Sequence, residues 1–91
     1  MVSKKPDTEM INELFEIIAS LKSAEECRGL FSDMCTNKEI EQMAQRLRAA
    51  KLLLQGKTYS QVIEETDISS ATLSRVSRCV QYGSGYSKFL K

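Results

Sequence analysis

Ser70, Ala71, Ser74 and Arg75 fall at helical spacing behind Ser69, and they offer small or hydrogen-bonding side chains followed by a cation. A helix whose first turns enter a DNA major groove needs that profile: slim, with donors and acceptors at base-edge height. Arg75 is placed to meet a base or a phosphate, and Arg78, Ser69, Thr58, Ser60 and Gln61 supply further polar groups for positioning contacts. Other chemistry is missing. The chain has no histidine, and it shows no metal-ligand cluster, glycine-rich phosphate loop or serine elbow. The usual acid-base and nucleophile constellations are therefore absent, and no enzyme activity, catalytic residue or metal site is expected.

Those side chains need two short helices to carry them. Thr58 with Gln61 three positions on forms a capping box, which satisfies orphan N–H groups at a helix start. Behind it Val62, Ile63 and Thr66 make a narrow inward face, with Glu64 and Glu65 left for water. Asp67-Ile68 breaks the period, Ser69 is the next N-cap, and Leu73, Val76 and Val80 mark the buried side of a second helix. Val62, Thr66, Ile68, Leu73 and Val76 have the spacing at which bacterial repressors pack a helix-turn-helix, and the stretch from Thr58 to Val80 resembles that motif. Asp67 stands where such turns usually carry glycine, so it must adopt a left-handed backbone, which Asp tolerates better than most residues. Ile63 stands where a small residue is usual, which would hold the helices slightly further apart. The competing reading is an ordinary helical hairpin in a small bundle.

Ninety-one residues make one small domain with a modest core, a size at which association with a second copy often supplies stability. An apolar fraction of 42% with 27% charged residues describes an ordinary globular chain. The net charge of +1 hides an asymmetry: Met1 to Gln45 carries five Lys/Arg against nine Asp/Glu, whereas Arg46 to Lys91 carries eight against three. The basic half holds the candidate motif, so a polyanion would be drawn to that end and repelled from the other. The three cysteines, Cys27, Cys35 and Cys79, form no CxxC pair, so neither zinc nor disulfides are expected, and each suits a small buried apolar position. MVSKKP has no apolar run behind it and no stretch approaches a membrane span, so a cytoplasmic protein without signal peptide or membrane partner is expected.

Taken in order, a basic tail from Met1 to Pro6 precedes a helix from Asp7 to Leu21. Its apolar residues, Met10, Ile11, Leu14, Phe15, Ile17, Ile18 and Leu21, form a face too broad for one neighbour, which points to cover by a second subunit or by later helices of the same chain. Ser23 to Glu26 is another capping box, opening a helix to about Cys35 with Ala24, Cys27, Leu30, Phe31 and Met34 inward. A third, Thr36 to Glu39, opens the longest helix, Asn37 to Gln55, which Gly56 closes. Its main stripe is Ile40, Met43, Leu47, Ala50 and Leu54, widened by Ala44, Leu52 and Leu53. Arg46, Arg48 and Lys51 lie near its middle as a solvated face or as phosphate contacts. After the motif, Gln81 and Tyr82 end the second helix at Gly83, and a last short helix from Tyr86 to Leu90 offers Tyr86, Phe89 and Leu90 to the core.

A long helix ending in LLLQGK, then SQ opening a short helix, then ATLSR opening the next, resembles the tryptophan repressor superfamily of bacteria, and most closely its Trp-repressor-like members of the YerC/YecD type. The resemblance covers nearly the whole chain. It implies an all-α fold of about six helices with a helix-turn-helix, and an intertwined homodimer with one recognition helix per subunit on double-stranded DNA. Residues 1–57 would form the dimerisation core, 58–80 the helix-turn-helix and 81–91 a C-terminal helix. It also implies a corepressor site, for which Thr36, Arg46 and Arg75 match the threonine and two arginines by position. Where that repressor has glycine beside its flat ligand, this chain has Val76, so tryptophan is not expected as a corepressor, and Arg46 and Arg75 would instead contact phosphates, bases or a different ligand. The function expected is a sequence-specific, DNA-binding transcriptional regulator, a repressor by resemblance. The alternative is a helical protein-interaction module that does not bind DNA.

Overall fold

The computed structural model describes residues 7–90; the expected basic tail lies outside them, as does Lys91. Six helices and no strand occur among the described residues: α1 (Thr8–Ser20), α2 (Ala24–Met34), α3 (Asn37–Leu54), α4 (Tyr59–Thr66), α5 (Ser70–Tyr82) and α6 (Gly85–Phe89). The all-α expectation holds. The chain divides into two compact units, one ending at Thr36 and the other beginning at Asn37.

In the first unit, local capping sets where each helix begins. The Asp7 carboxylate accepts from the Glu9 N–H at 2.9 Å, and the Ser23 hydroxyl accepts from the Glu26 N–H at 3.0 Å. Glu26 answers one residue earlier than the reciprocal box requires: its carboxylate accepts from the Lys22 N–H at 2.7 Å. No residue of α1 is buried, and Met10 and Phe15 are each 62% exposed. In α2, Cys27, Leu30 and Phe31 are half-buried, but Ala24 and Met34 are exposed rather than inward. They are the first and last residues of the helix, where the apolar stripe runs off its ends.

The second unit holds the core: Ala49, Ala50, Leu52, Val62, Ile68, Leu73 and Val76, with Leu53, Ile63, Val80, Tyr86 and Leu90 packed against it. Helix α3 is the strut on which α4, α5 and α6 all pack. Of the expected stripe, Ala50 and Leu52 are buried and Ile40, Met43, Leu53 and Leu54 half-buried, but Leu47 and Ala44 are exposed, and Ala49, outside the stripe, is buried. An alanine lets two helices approach closely yet adds little to an apolar pattern dominated by leucine, so Ala49 was passed over in favour of the larger Leu47. The strut ends where glycine was expected to end it. Gly56 has φ +87°, its N–H donates to the Leu53 carbonyl and the Lys57 N–H donates to the Leu52 carbonyl, each at 3.0 Å. This pair of bonds is the Schellman arrangement, which satisfies the last carbonyls of a helix and requires a left-handed residue at the first position beyond it.

Two further expectations are corrected. Phe89 stands 75% exposed, its ring 5.5 Å from the Lys88 ammonium, while Tyr86 and Leu90 join the core; a five-residue helix has only one inward face. Cys79 is exposed, and Cys27 and Cys35 are half-buried. Cys79 lies one turn beyond Arg75, so it shares the outward stripe of α5 rather than that of Leu73 and Val76.

Candidate nucleic-acid interface

Helix α4 begins with the full reciprocal capping box: the Thr58 hydroxyl accepts from the Gln61 N–H at 3.2 Å and the Gln61 side-chain oxygen accepts from the Thr58 N–H at 2.9 Å. The corner that follows is built by Thr66 and Asp67. The Thr66 hydroxyl donates to the Val62 carbonyl at 2.7 Å and accepts from the Ile68 N–H at 3.3 Å, bridging the last turn of α4 to the linker. Asp67 takes φ 61° and ψ 22°, the left-handed conformation expected of it, and its N–H donates to the Ile63 carbonyl at 2.8 Å. Ile68 is then driven inward at 3% exposure, and Ser69 caps α5 by accepting from the Thr72 N–H at 3.2 Å.

Two contacts that spacing did not reveal fasten this corner to the strut. The Gln45 amide donates to the Thr66 carbonyl at 3.1 Å, so a side chain of α3 holds the end of α4. Arg48 lies 3.6 Å from Glu65, an exposed ion pair between α3 and α4. The first is half-buried and directional; the second is solvent-screened and contributes little to stability. Neither joins neighbours in sequence, so no periodicity announced them.

With α4 and α5 held in this way, the outward face of α5 stands in solvent. Ser69, Ser70, Ala71, Ser74, Arg75 and Arg78 are all exposed, as are Thr58, Ser60 and Gln61 at the start of α4. Ser69 is more committed than its type suggests, since its hydroxyl also donates to the Thr72 hydroxyl at 2.9 Å. The opposite face buries Leu73, Val76 and Ser77. Ser77 was not among the expected core residues, although it falls four positions after Leu73 and three before Val80, on the same stripe.

Of the three residues matched to a corepressor site, Arg46 and Arg75 come together. They line one recess of about 380 Å³ with Thr72, Val76, Cys79 and Tyr86. Val76 is 1% exposed, so its branched side chain is part of the core as expected. Thr36 belongs to the first unit. Thr72, Cys79 and Tyr86 were not singled out for this place. Thr72 and Cys79 share the helical stripe of Arg75 and were legible from spacing, whereas Tyr86 arrives from another helix.

Among the described residues no cluster of His, Cys, Asp or Glu is arranged to hold a metal ion, and no helix is long and apolar enough to cross a membrane. The arrangement resembles known proteins closely. Residues 9–91 match the model of the Trp repressor protein family. The chain is 49% identical over 73 residues to the uncharacterized protein YerC of Bacillus subtilis (strain 168), covering 80% of this chain and 70% of that protein. A crystal structure of a candidate Trp repressor from Staphylococcus aureus superposes with a TM-score of 0.88 at 41% identity, over 92% of this chain and 85% of that one. A TrpR-like protein from Eubacterium eligens gives a TM-score of 0.85 at 41% identity, over 89% and 84%. The helix order, the left-handed corner and the outward polar face thus accompany a match over nearly the whole sequence, and the chain belongs to the Trp repressor family.

Proposed function

We propose that the protein is a sequence-specific DNA-binding transcriptional regulator, a repressor by family, that acts as a homodimer in the cytoplasm without tryptophan as its corepressor. The observation that carries this reading is the outward face of α5. Ser70, Ala71, Ser74 and Arg75 are exposed on the first turns of a capped helix, behind a corner pinned by Thr66, Asp67 and Gln45. Small side chains followed by arginine suit entry into a major groove, and Thr58, Ser60, Gln61, Ser69 and Arg78 flank them as positioning contacts. Val76 is 1% exposed and borders the recess shared by Arg46 and Arg75, and its branched side chain is the reason that tryptophan is left out of the proposal. These exposed polar and basic side chains suit binding rather than catalysis, and no enzymatic role is proposed.

Dimerisation is proposed from the exposed apolar face of α1, with residues 1–57 as its core. A small chain gains from covering such a face with a second copy. The experiment that tests the whole reading is selection of bound sites from a random DNA pool. A palindromic motif is expected, with half-sites about 34 Å apart along one face of the duplex. Recovery of no enriched motif, together with no salt-sensitive binding, would favour the second reading, a protein-interaction module that uses the apolar face of α1. That alternative rests on the exposure of Met10, Ile11, Leu14, Phe15 and Ile17.

A further inference from the structure

We infer that Tyr86 is a wedge that sets the position of the recognition helix from within the chain. The inference rests on the DNA-binding reading above and names how that site is held. Helix α6 packs on both α3 and α5, and Gly83 and Ser84 alone separate it from the end of α5. Gly83 is the one residue type that fits this connection, because a Cβ there would lie 2.7 Å from the Cys79 carbonyl oxygen. The short link folds α6 back at once, and the Ser87 hydroxyl donates to the Val80 carbonyl at 3.3 Å, latching it to α5.

The fold-back brings Tyr86 into the wall of the recess that holds Arg46 of α3 and Thr72, Arg75, Val76 and Cys79 of α5. Tyr86 is half-buried there and packs against the core. It therefore touches the space between the strut and the helix that presents Ser70, Ser74 and Arg75. A ring wedged between two helices fixes their separation, since packed interiors resist continuous deformation. The ring carries this role, since Tyr86 packs against the apolar core. Tyr86 is thus a positioning residue: it acts on DNA through α5 and Arg75.

Chemical rescue tests the wedge. Tyr86→Ala should remain folded by circular dichroism and lose affinity for the selected site by roughly tenfold, the size of an ordinary coupling between sites. Tyr86→Phe should bind as the wild type does. Millimolar p-cresol, the tyrosine side chain as a free molecule, should restore affinity to Tyr86→Ala and leave the wild type unchanged, as small aromatics enter cavities cut to their shape. A loss that p-cresol does not recover, or no loss at all, would overturn the inference while leaving the DNA-binding reading intact. An independent arm uses free protein. p-Cresol should shift the side-chain N–H signals of Arg46 and Arg75 by NMR in Tyr86→Ala and not in the wild type; equal shifts in both, or none, would also overturn it. Absence of DNA binding by the wild type would instead sink the reading on which the wedge depends.

Discussion

Arg75 is the side chain with the most to decide. It is exposed on the outward face of α5 and also borders the recess shared with Arg46 and Tyr86. If it reads a base, Arg75→Ala should cost about 1–3 kcal/mol at the cognate site and less on unrelated DNA, measured by competition gel shift. An equal loss on every sequence would assign it to a phosphate. Val76 makes the complementary prediction for the recess. With that side chain 1% exposed and set in the core, isothermal titration with L-tryptophan should show no heat of binding, and millimolar or tighter binding would show that the recess opens around it. Cys79 illustrates what residue type alone conceals. Free cysteines are usually buried, but its position one turn after Arg75 places it outside.

At the scale of elements, the corner between α4 and α5 is where sequence and geometry meet most tightly. Asp67 holds a left-handed backbone, and any residue with a Cβ is less comfortable there than glycine. Asp67→Gly should therefore leave the urea midpoint unchanged or raise it, whereas Asp67→Val should lower it, because a branched side chain is a poor occupant of that region. The Thr58–Gln61 capping box gives a second prediction: Thr58→Ala should cost about 1 kcal/mol, the usual price of a lost N-cap, read as a lower midpoint with unchanged slope. All three variants should keep the helix order. Their effects on DNA affinity should follow from how far α4 shifts, since Gln45 continues to hold the Thr66 carbonyl.

For the whole molecule, the decisive features are the exposed apolar face of α1 and the division of charge. Light scattering should return twice the chain mass, and Phe15→Glu should reduce it to one chain if α1 forms the interface, because a charge buried without a partner is costly. DNA affinity should fall steeply with salt, with a slope near −0.9 per phosphate neutralised on duplex DNA. Binding that ignored salt would argue against the basic half of the chain, Arg46 to Lys91, as the DNA-facing half.

The sequence by itself determined the local structure: helix starts at Asp7, Ser23, Thr58 and Ser69, the stop at Gly56, and the left-handed corner at Asp67. Each depends on a residue and its neighbours within a few positions, where capping chemistry and backbone sterics act. Tertiary structure alone decided that the core face of α3 takes in Ala49 and leaves out Leu47. It also decided that Gln45 would reach the Thr66 carbonyl and that Tyr86 would join Arg46 and Arg75 around one recess. Those contacts join residues far apart along the chain, and helical periodicity says which way a side chain faces but not what will be standing there.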